Sequence, residues 1–475
     1  MSEIGTPIIF GRIRTPIIKE LSVNFTARLR VLLMGVPFWT LGVLLVGVPV
    51  LGAGEAGVAL VADRVIDGRG GRPREGVAVM VEGNRIVGID DVASLPTDAR
   101  VIELPGTTLM PGMINAHEHP LMFSDDYQNA HLQGSSAYKA LMGLAAMQAQ
   151  LEAGWTTIRV MGDIDVHYAN QDIRKVIEAG VFTGPRITGA AHYISITGGG
   201  GDINFASPEQ PVIADGLIAD GPEEIRKAIR NEVKFGSDWI KLLVTGAFQS
   251  VGDDPRNVAF SPEELEAAVA EARRLGVPVA AHAHATDGIR QAVLAGARSI
   301  EHGTYIDDET MELMVEHGTW LVPTIYVGDY YAEGDLLLAQ DKQDDYTANY
   351  RSIFLAAIGR AHKRGVKIAT GIDLGGYSVD PTVFAREFAV LVEAGMTPAE
   401  AIQAGTRVGA ELLGWDDRIG TIETGKLADV IAVAGNPLQD ISRLEQVVFV
   451  MIDGKIVKHP GSAPQPGALT EADIP

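Results

Sequence analysis

The chain is 475 residues long, with 46 % hydrophobic and 21 % charged residues, which excludes wholesale disorder and predicts one large domain with a smaller module. Its formal net charge of −22 repels phosphate backbones and argues against nucleic-acid binding. There is no cysteine, which excludes disulfides, thiolate zinc sites and cysteine nucleophiles together.

The first element is an almost uncharged apolar stretch from Val31 to Gly52, preceded by Arg28 and Arg30 and followed by the small residues Ala53 and Gly54. A basic lead-in, an apolar centre and small residues form the pattern of a cleavable export segment. Residues 1–56 are therefore expected to be a leader outside the fold, with an internal start such as Met34 as a variant, and the protein is expected to be periplasmic or secreted. An uncleaved membrane anchor is the alternative, since about 20 apolar residues span a bilayer. Two prolines and four glycines in the stretch weaken it.

After Gly57 the runs V-A-L-V-A-D-R-V-I-D, G-V-A-V-M-V-E-G-N-R-I-V-G-I and R-V-I-E-L read as short strands separated by turns. The far end repeats this texture in K-L-A-D-V-I-A-V and Q-V-V-F-V-M-I-D-G-K-I-V. Residues 57–107 and 418–460 are thus expected to pair into a small β-sandwich domain, with 461–475 as a C-terminal tail. Between them, residues 108–417 alternate strand and helix. The predicted strands are Thr108–Asn115, Thr156–Gly162, Arg186–Ser195, Trp239–Gly246, Pro278–His284, Arg298–Gly303, Trp320–Ile325 and Lys367–Asp373. Glycines such as Gly236, Gly276, Gly296, Gly318 and Gly365 end the intervening helices, and Ser261-Pro262-Glu263-Glu264 is a capping box. Eight strand–helix units predict an α/β fold of (β/α)8 TIM type. A doubly wound sheet is the alternative, but no Gly-x-Gly-x-x-Gly turn follows an early strand.

Barrel enzymes carry their chemistry at the C-terminal ends of the strands. The first predicted strand ends in Asn115-Ala116-His117-Glu118-His119, and spacing of two puts His117 and His119 on one face. Lys241 lies in the middle of the apolar fourth strand. A buried ammonium is costly; it either snorkels, pairs with a carboxylate, or loses its proton and takes up carbon dioxide as a carbamate. His282 and His284 end the fifth strand, His302 the sixth and Asp373 the eighth. One such histidine is more often structural, but 5 of the 11 histidines stand at these ends, and coincidence explains that poorly. Imidazole nitrogen and carboxylate oxygen without sulfur suit zinc or a similar divalent ion. Two such ions would activate a shared water, with Asp373 as ligand and as proton acceptor and donor.

The order His-x-His, Lys, His, His, Asp resembles the amidohydrolase superfamily, as do P-G-M-I-N-A-H-E-H, E-H-G-T and G-T-I-E-T-G-K-L-A-D-V-I, over about Val58 to Val457. The segments S-D-W-I-K-L-L-V-T-G, H-A-H-A and V-P-T are similar to its prolidase-like and imidazolonepropionase-like branch, which includes zinc carboxypeptidases, dipeptidases and ochratoxin-hydrolysing enzymes. The resemblance implies that His117, His119 and Asp373 bind one ion, that carbamylated Lys241 bridges, and that His282 and His302 bind the second. His284 would stand behind these ligands or face the substrate. One departure stands out: the loop after the third strand reads Thr197-Gly198-Gly199-Gly200-Gly201-Asp202, where relatives carry Thr-Gly-Gly-His-Gly-Asp. His192 and Tyr193 are candidates for the missing contact, or simply pack the barrel interior. Arg256 in the loop after strand four, and Tyr326, Tyr330 and Tyr331 after strand seven, are candidates to clamp a substrate carboxylate. The run 340–345 reads as a solvated acidic face.

The resemblance implies hydrolysis, by a hydroxide bridging two ions, of the amide bond to a C-terminal amino acid. The expected substrate is a small peptide or N-acyl amino acid, ochratoxin-type aryl amides included, and a homo-oligomer is expected. A cyclic-amide hydrolase of imidazolonepropionase type is the alternative. A non-catalytic assembly protein is disfavoured, because all six ligand positions are filled.

Overall fold

The computed structural model describes residues 57–122, 124, 126–333, 350–375 and 379–461. The expected leader, the acidic run 340–345 and all but the first residue of the expected tail lie outside the described residues.

In chain order the strands begin with β1 (Val58–Val65), β2 (Val77–Glu82), β3 (Arg85–Asp91) and β4 (Arg100–Pro111). There follow β5 (Met113–Glu118), β6 (Trp155–Met161), β7 (Arg186–Ala190), β8 (Tyr193–Ser195), β9 (Leu217–Ile218), β10 (Ile240–Leu243), β11 (Val279–Ala283), β12 (Ser299–His302) and β13 (Trp320–Val322). The last are β14 (Val430–Ala434), β15 (Val447–Ile452) and β16 (Lys455–Lys458).

Strands from both chain regions share one seven-stranded sheet, ordered β16-β15-β14-β4-β1-β2-β3. The antiparallel pairing of β4 with β14 joins them at its middle. Side chains alternate with period two. Val430, Ala432, Phe449 and Met451 face one cluster with Leu60 and Leu104, while Ile431, Val433, Val450 and Ile452 face the main core. Burial on both faces explains why β14 reads V-I-A-V with no polar residue.

The nine middle strands are parallel and fall into a three-stranded sheet, β5-β6-β7, and a six-stranded sheet, β13-β12-β11-β10-β8-β9. Helices such as Pro262–Leu275, Thr286–Ala295 and Asp308–His317 separate them. The Ser261 capping box forms, and Gly236, Gly276, Gly296, Gly318 and Gly365 close their helices in the left-handed conformation.

Three predicted strands differ. Thr108–Asn115 divides at Gly112: residues up to Pro111 stay in the seven-stranded sheet, and Met113 opens the parallel one. A Cβ at Gly112 would collide with the Thr156 side chain. Arg186–Ser195 breaks into β7 and β8 because the Glu232 carboxylate accepts the Ala191 and His192 amides, at 3.1 and 3.0 Å. Lys367–Asp373 is an extended segment with one bridge, Leu321 to Ile368, rather than a strand. It nevertheless bonds on both sides: Ala369 N donates to Leu321 O at 3.0 Å, and Ala116 N to Thr370 O at 2.9 Å. Asp373 is thereby delivered beside β5.

Candidate metal centre and active site

His117 and His119 share a face of β5, with their Nε2 atoms 3.2 Å apart. Asp373 Oδ1 lies 3.4 Å from His117 Nε2 and 3.1 Å from His119 Nε2. From β10, Lys241 Nζ comes within 3.4 Å of the same His117 nitrogen. The potential ligand atoms of His282, His284 and His302 all lie within 4.8 Å of one another, as do those of His117, His302 and Asp373. His302 therefore belongs to both groups. All five histidines are buried, at 0–6 % exposure.

The backbone is strained where these residues stand. His302, Thr324 and Asp373 have φ of 72°, 55° and 62°, each at or just beyond a strand-like segment. Such conformations cost on the order of 1–3 kcal/mol each and persist only when the surroundings enforce them. Neighbours on a regular strand face opposite sides. The left-handed turn at His302 lets it reach the centre that its neighbour Glu301 already faces.

Each of the five imidazoles has one ring nitrogen engaged by a neighbour. His117 Nδ1 bonds Glu301 Oε2 at 2.8 Å, His119 Nδ1 donates to Gly162 O at 2.5 Å, and His282 Nε2 donates to Gly246 O at 3.1 Å. His284 Nδ1 and His302 Nδ1 meet the hydroxyls of Thr304 and Thr324, each at 2.8 Å. For the first three the partner is acceptor-only, so the N–H points outward and the lone pair inward. Facing lone pairs of His117, His119 and Asp373 at 3.1–3.4 Å repel unless a cation or proton lies among them. The donor set fits a divalent ion such as zinc, and the outer partners are those that orient metal-binding histidines.

The electrostatics agree. Burial, helped by Lys241, pulls His282 down to about 3; burial and His282 hold His302 well below its ordinary value. Burial would raise Asp373, but His117, His119 and His302 outweigh it and keep the carboxyl well below the usual range. Burial lowers Lys241 to about 8 against the opposing fields of Glu301 and Asp373. A neutral His282 and His302 beside an ionised Asp373 are the protonation states that metal binding requires.

Several supporting residues were not anticipated. Glu301, fully buried, accepts from Arg159 Nη2 at 2.9 Å as well as from His117. Ser299, two residues back on the same face, receives Arg159 Nη1 at 3.0 Å. That Ser-x-Glu alternation in β12 was the available signal. Asn115 ties β5 to the Asp373 segment: its Oδ1 accepts from His117 N and Ile372 N, both at 3.1 Å, and its amide donates to Glu118 at 2.6 Å.

The expected substrate contacts are mostly displaced. His192 turns to Glu232, 2.8 Å from Nδ1, with its ring 4.6 Å from that of Tyr168, and does not line the pocket. Tyr193 lies edge-on to His119 at 6.2 Å, buried and bonded toward Asp215 rather than open to substrate. The space beside Gly200 is taken by Asp253 and Ser250, so the loop after β10 fills the position of the absent histidine. Arg256 makes a two-point contact with Asp254, at 2.9 and 2.8 Å, on the wall of a neighbouring cavity. The region after β13 begins with a helix, Tyr326–Glu333. Val327, Gly328 and Tyr331 line the metal-side pocket with Phe248, Thr324 and Tyr350. Tyr326 instead bonds Arg386 at 3.0 Å, and Tyr330 makes edge-on ring contacts with Tyr326 and Tyr331. His284 stands with the candidate ligands.

Comparison with known proteins agrees with this geometry. The amidohydrolase family model matches residues 108–457. An ochratoxinase from Aspergillus niger is 32 % identical over 443 residues, covering 86 % of this chain and 88 % of that one. An imidazolonepropionase from Pseudomonas putida is 24 % identical over 393 residues, covering 75 % and 87 %. A crystal structure of a Xaa-Pro dipeptidase with methionine bound in its active site superposes with a TM-score of 0.78 at 34 % identity, covering 85 % of this chain and all of that one.

Proposed function

The chain belongs to the amidohydrolase family and is a hydrolase acting on amide bonds, and from that premise we propose that it depends on divalent metal ions and cleaves the amide bond to a C-terminal amino acid. The observation that carries the metal reading is the approach of His117 Nε2 and His119 Nε2 to Asp373, with the other nitrogen of each ring engaged by Glu301 and Gly162. His117, His119 and Asp373 would hold one ion, and His282 with His302 a second, with a carbamate on Lys241 between them. His284 is near enough to His282 and His302 to share in the second site. Zinc is the ion this donor set favours. Ions held by these residues would polarise the scissile carbonyl and lower the pKa of water.

The protein's own part is positioning and proton transfer. The Asp373 carboxylate accepts the proton of the attacking water and returns it to the leaving amine. Arg159 and Glu301 hold His117 in one tautomer. Tyr331 and Tyr350, which line the metal-side pocket while Arg256, Tyr326 and Tyr330 do not, are the side chains we assign to the substrate. Likeness to an ochratoxinase and a Xaa-Pro dipeptidase supports a dipeptide or an N-acyl amino acid, aryl amides included. The same reading takes the two parallel sheets as one closed (β/α)8 barrel, residues 108–417, beside a β-sandwich domain from residues 57–107 and 418–460. It also includes a homo-oligomer and export through residues 1–56.

The test is a panel of N-acyl amino acids and dipeptides, each as free acid and as C-terminal amide, offered to zinc-loaded protein. Losing a charge-assisted hydrogen bond costs about 1.5–3 kcal/mol, so amidation should lower kcat/KM at least about tenfold. Equal rates on acid and amide would remove the C-terminal reading and favour a cyclic amide.

A further inference from the structure

Two cavities meet at Phe248, and one of them borders the candidate metal centre. The one against His282, His284, His302 and Asp373 is the smaller, at about 60 Å3. The other has about 390 Å3. Phe248 lines both and is 8 % exposed. Its ring stands 4.7 Å from His284 and 4.5 Å from Tyr350, centre to centre. The larger cavity is also fastened to the metal side through its backbone. Gly246, in its wall, accepts His282 Nε2 at 3.1 Å, and Tyr305, also in its wall, donates its amide to His284 O at 3.0 Å. Ile196, Val258 and Phe248 supply the apolar part of its wall, while Asp253, Asp254, Arg256 and Asn257 supply the polar part, where Asp254 and Arg256 pair at 2.8 Å.

We propose that Phe248 is a specificity-determining partition: the larger cavity receives an apolar aryl or alkyl arm of the amide substrate, and Phe248 sets the size of arm that passes into it from the metal centre. The inference rests on the amide-hydrolase reading for its substrate. Phe248 is a side wall, not a group that reacts. Replacing it should redistribute rates among substrates rather than lower all of them.

The test uses Phe248→Ala and Phe248→Leu with two substrate series, one lengthening the acyl arm and one the amino-acid side chain. One methylene in an apolar pocket is worth about 10–200-fold in discrimination. Phe248→Ala should therefore raise kcat/KM for the largest arm of one series, relative to the smallest, by at least about tenfold. Phe248→Leu should move it less in the same direction, and carries the test if the alanine variant does not fold. Zinc content should stay unchanged. In parallel, calorimetry measures binding of aceto-, benzo- and naphthohydroxamate to the zinc-loaded proteins, a readout without turnover. The naphtho-to-aceto affinity ratio should rise in the variants. A wild type that cleaves no amide, with variants that still shift this ratio, would refute the reaction and leave the partition standing. Size ratios unchanged in both measurements, or zinc-loaded protein that binds none of the three, overturn the partition.

Discussion

Replacing Glu301 by glutamine, alone and together with Arg159→Met, separates stability from metal binding. The side chain is fully buried, takes Arg159 Nη2 at 2.9 Å on both oxygens and holds His117 Nδ1 at 2.8 Å. Glutamine keeps the shape but leaves the buried Arg159 guanidinium without its counter-charge. Breaking a buried ion pair from one side costs about 3–5 kcal/mol. A second route gives a similar figure. Burial would raise the Glu301 carboxyl, but Arg159 and His117 outweigh it and bring it from 4.5 to about 2. A fall of about 2.5, at roughly 1.4 kcal/mol per pH unit, is about 3 kcal/mol. That contribution is present above pH 4.5 and lost as the pH falls toward 2. Urea unfolding of chelated Glu301→Gln at neutral pH should therefore show a loss of about 3–5 kcal/mol. Zinc titration of the folded fraction should show affinity weakened about 10–100-fold, the usual effect of removing the partner that orients a ligand. In the double variant Arg159→Met/Glu301→Gln the stranded charge is gone, and methionine can keep contact with Trp239, against which Arg159 stacks at 4.5 Å. Roughly half of the lost stability should return while zinc affinity stays low. Unchanged stability together with unchanged zinc affinity in Glu301→Gln would refute the reasoning.

Three further outcomes are expected. Asp373→Asn should keep much of its metal yet lose at least about a hundredfold in kcat, because the amide cannot accept a proton; normal kcat with normal metal would take Asp373 out of the mechanism. Lys241→Ala should lose the paired ions and nearly all activity, partly restored by added short carboxylic acids, whereas a fully active variant would return Lys241 to a structural amine. Burial pushes the Glu387 carboxyl up to about 8, although it accepts the Ile325 and Tyr326 amides at 3.1 and 2.7 Å. The folded state then holds a proton that the unfolded state releases, so stability of the chelated protein should fall as pH rises from 4.5 to 8. Glu387→Gln should flatten that slope, and an unchanged slope would show that Glu387 does not contribute to it.

The metal-side residues were legible because their positions are set by a simple rule. Spacing of two puts His117 with His119 on one face, and strand ends in an alternating α/β chain gather His282, His284, His302 and Asp373. What surrounds them depends on longer-range events. Glu232, 40 residues away, captures the His192 amide and ring, which decides between the two readings of His192 in favour of packing. Tyr326, Tyr330 and Tyr331 look equivalent in a presumed loop. Once the segment is a helix, 100° per residue decides that Tyr331 joins Val327 and Gly328 while the other two turn away. Phe248 carries no local sign of its place between two cavities. Gly112 reads as part of a continuous strand, and only the approach of Thr156 shows why the chain changes sheets there.

The most direct test of the central claim is metal content and activity measured on one preparation made without chelator. The proposed pair of sites, His117, His119 and Asp373 for one ion and His282 with His302 for the other, predicts about two divalent ions per chain. Activity should vanish on chelation and return with added zinc, in proportion to the second ion bound. Full activity in protein that holds no metal would contradict the account.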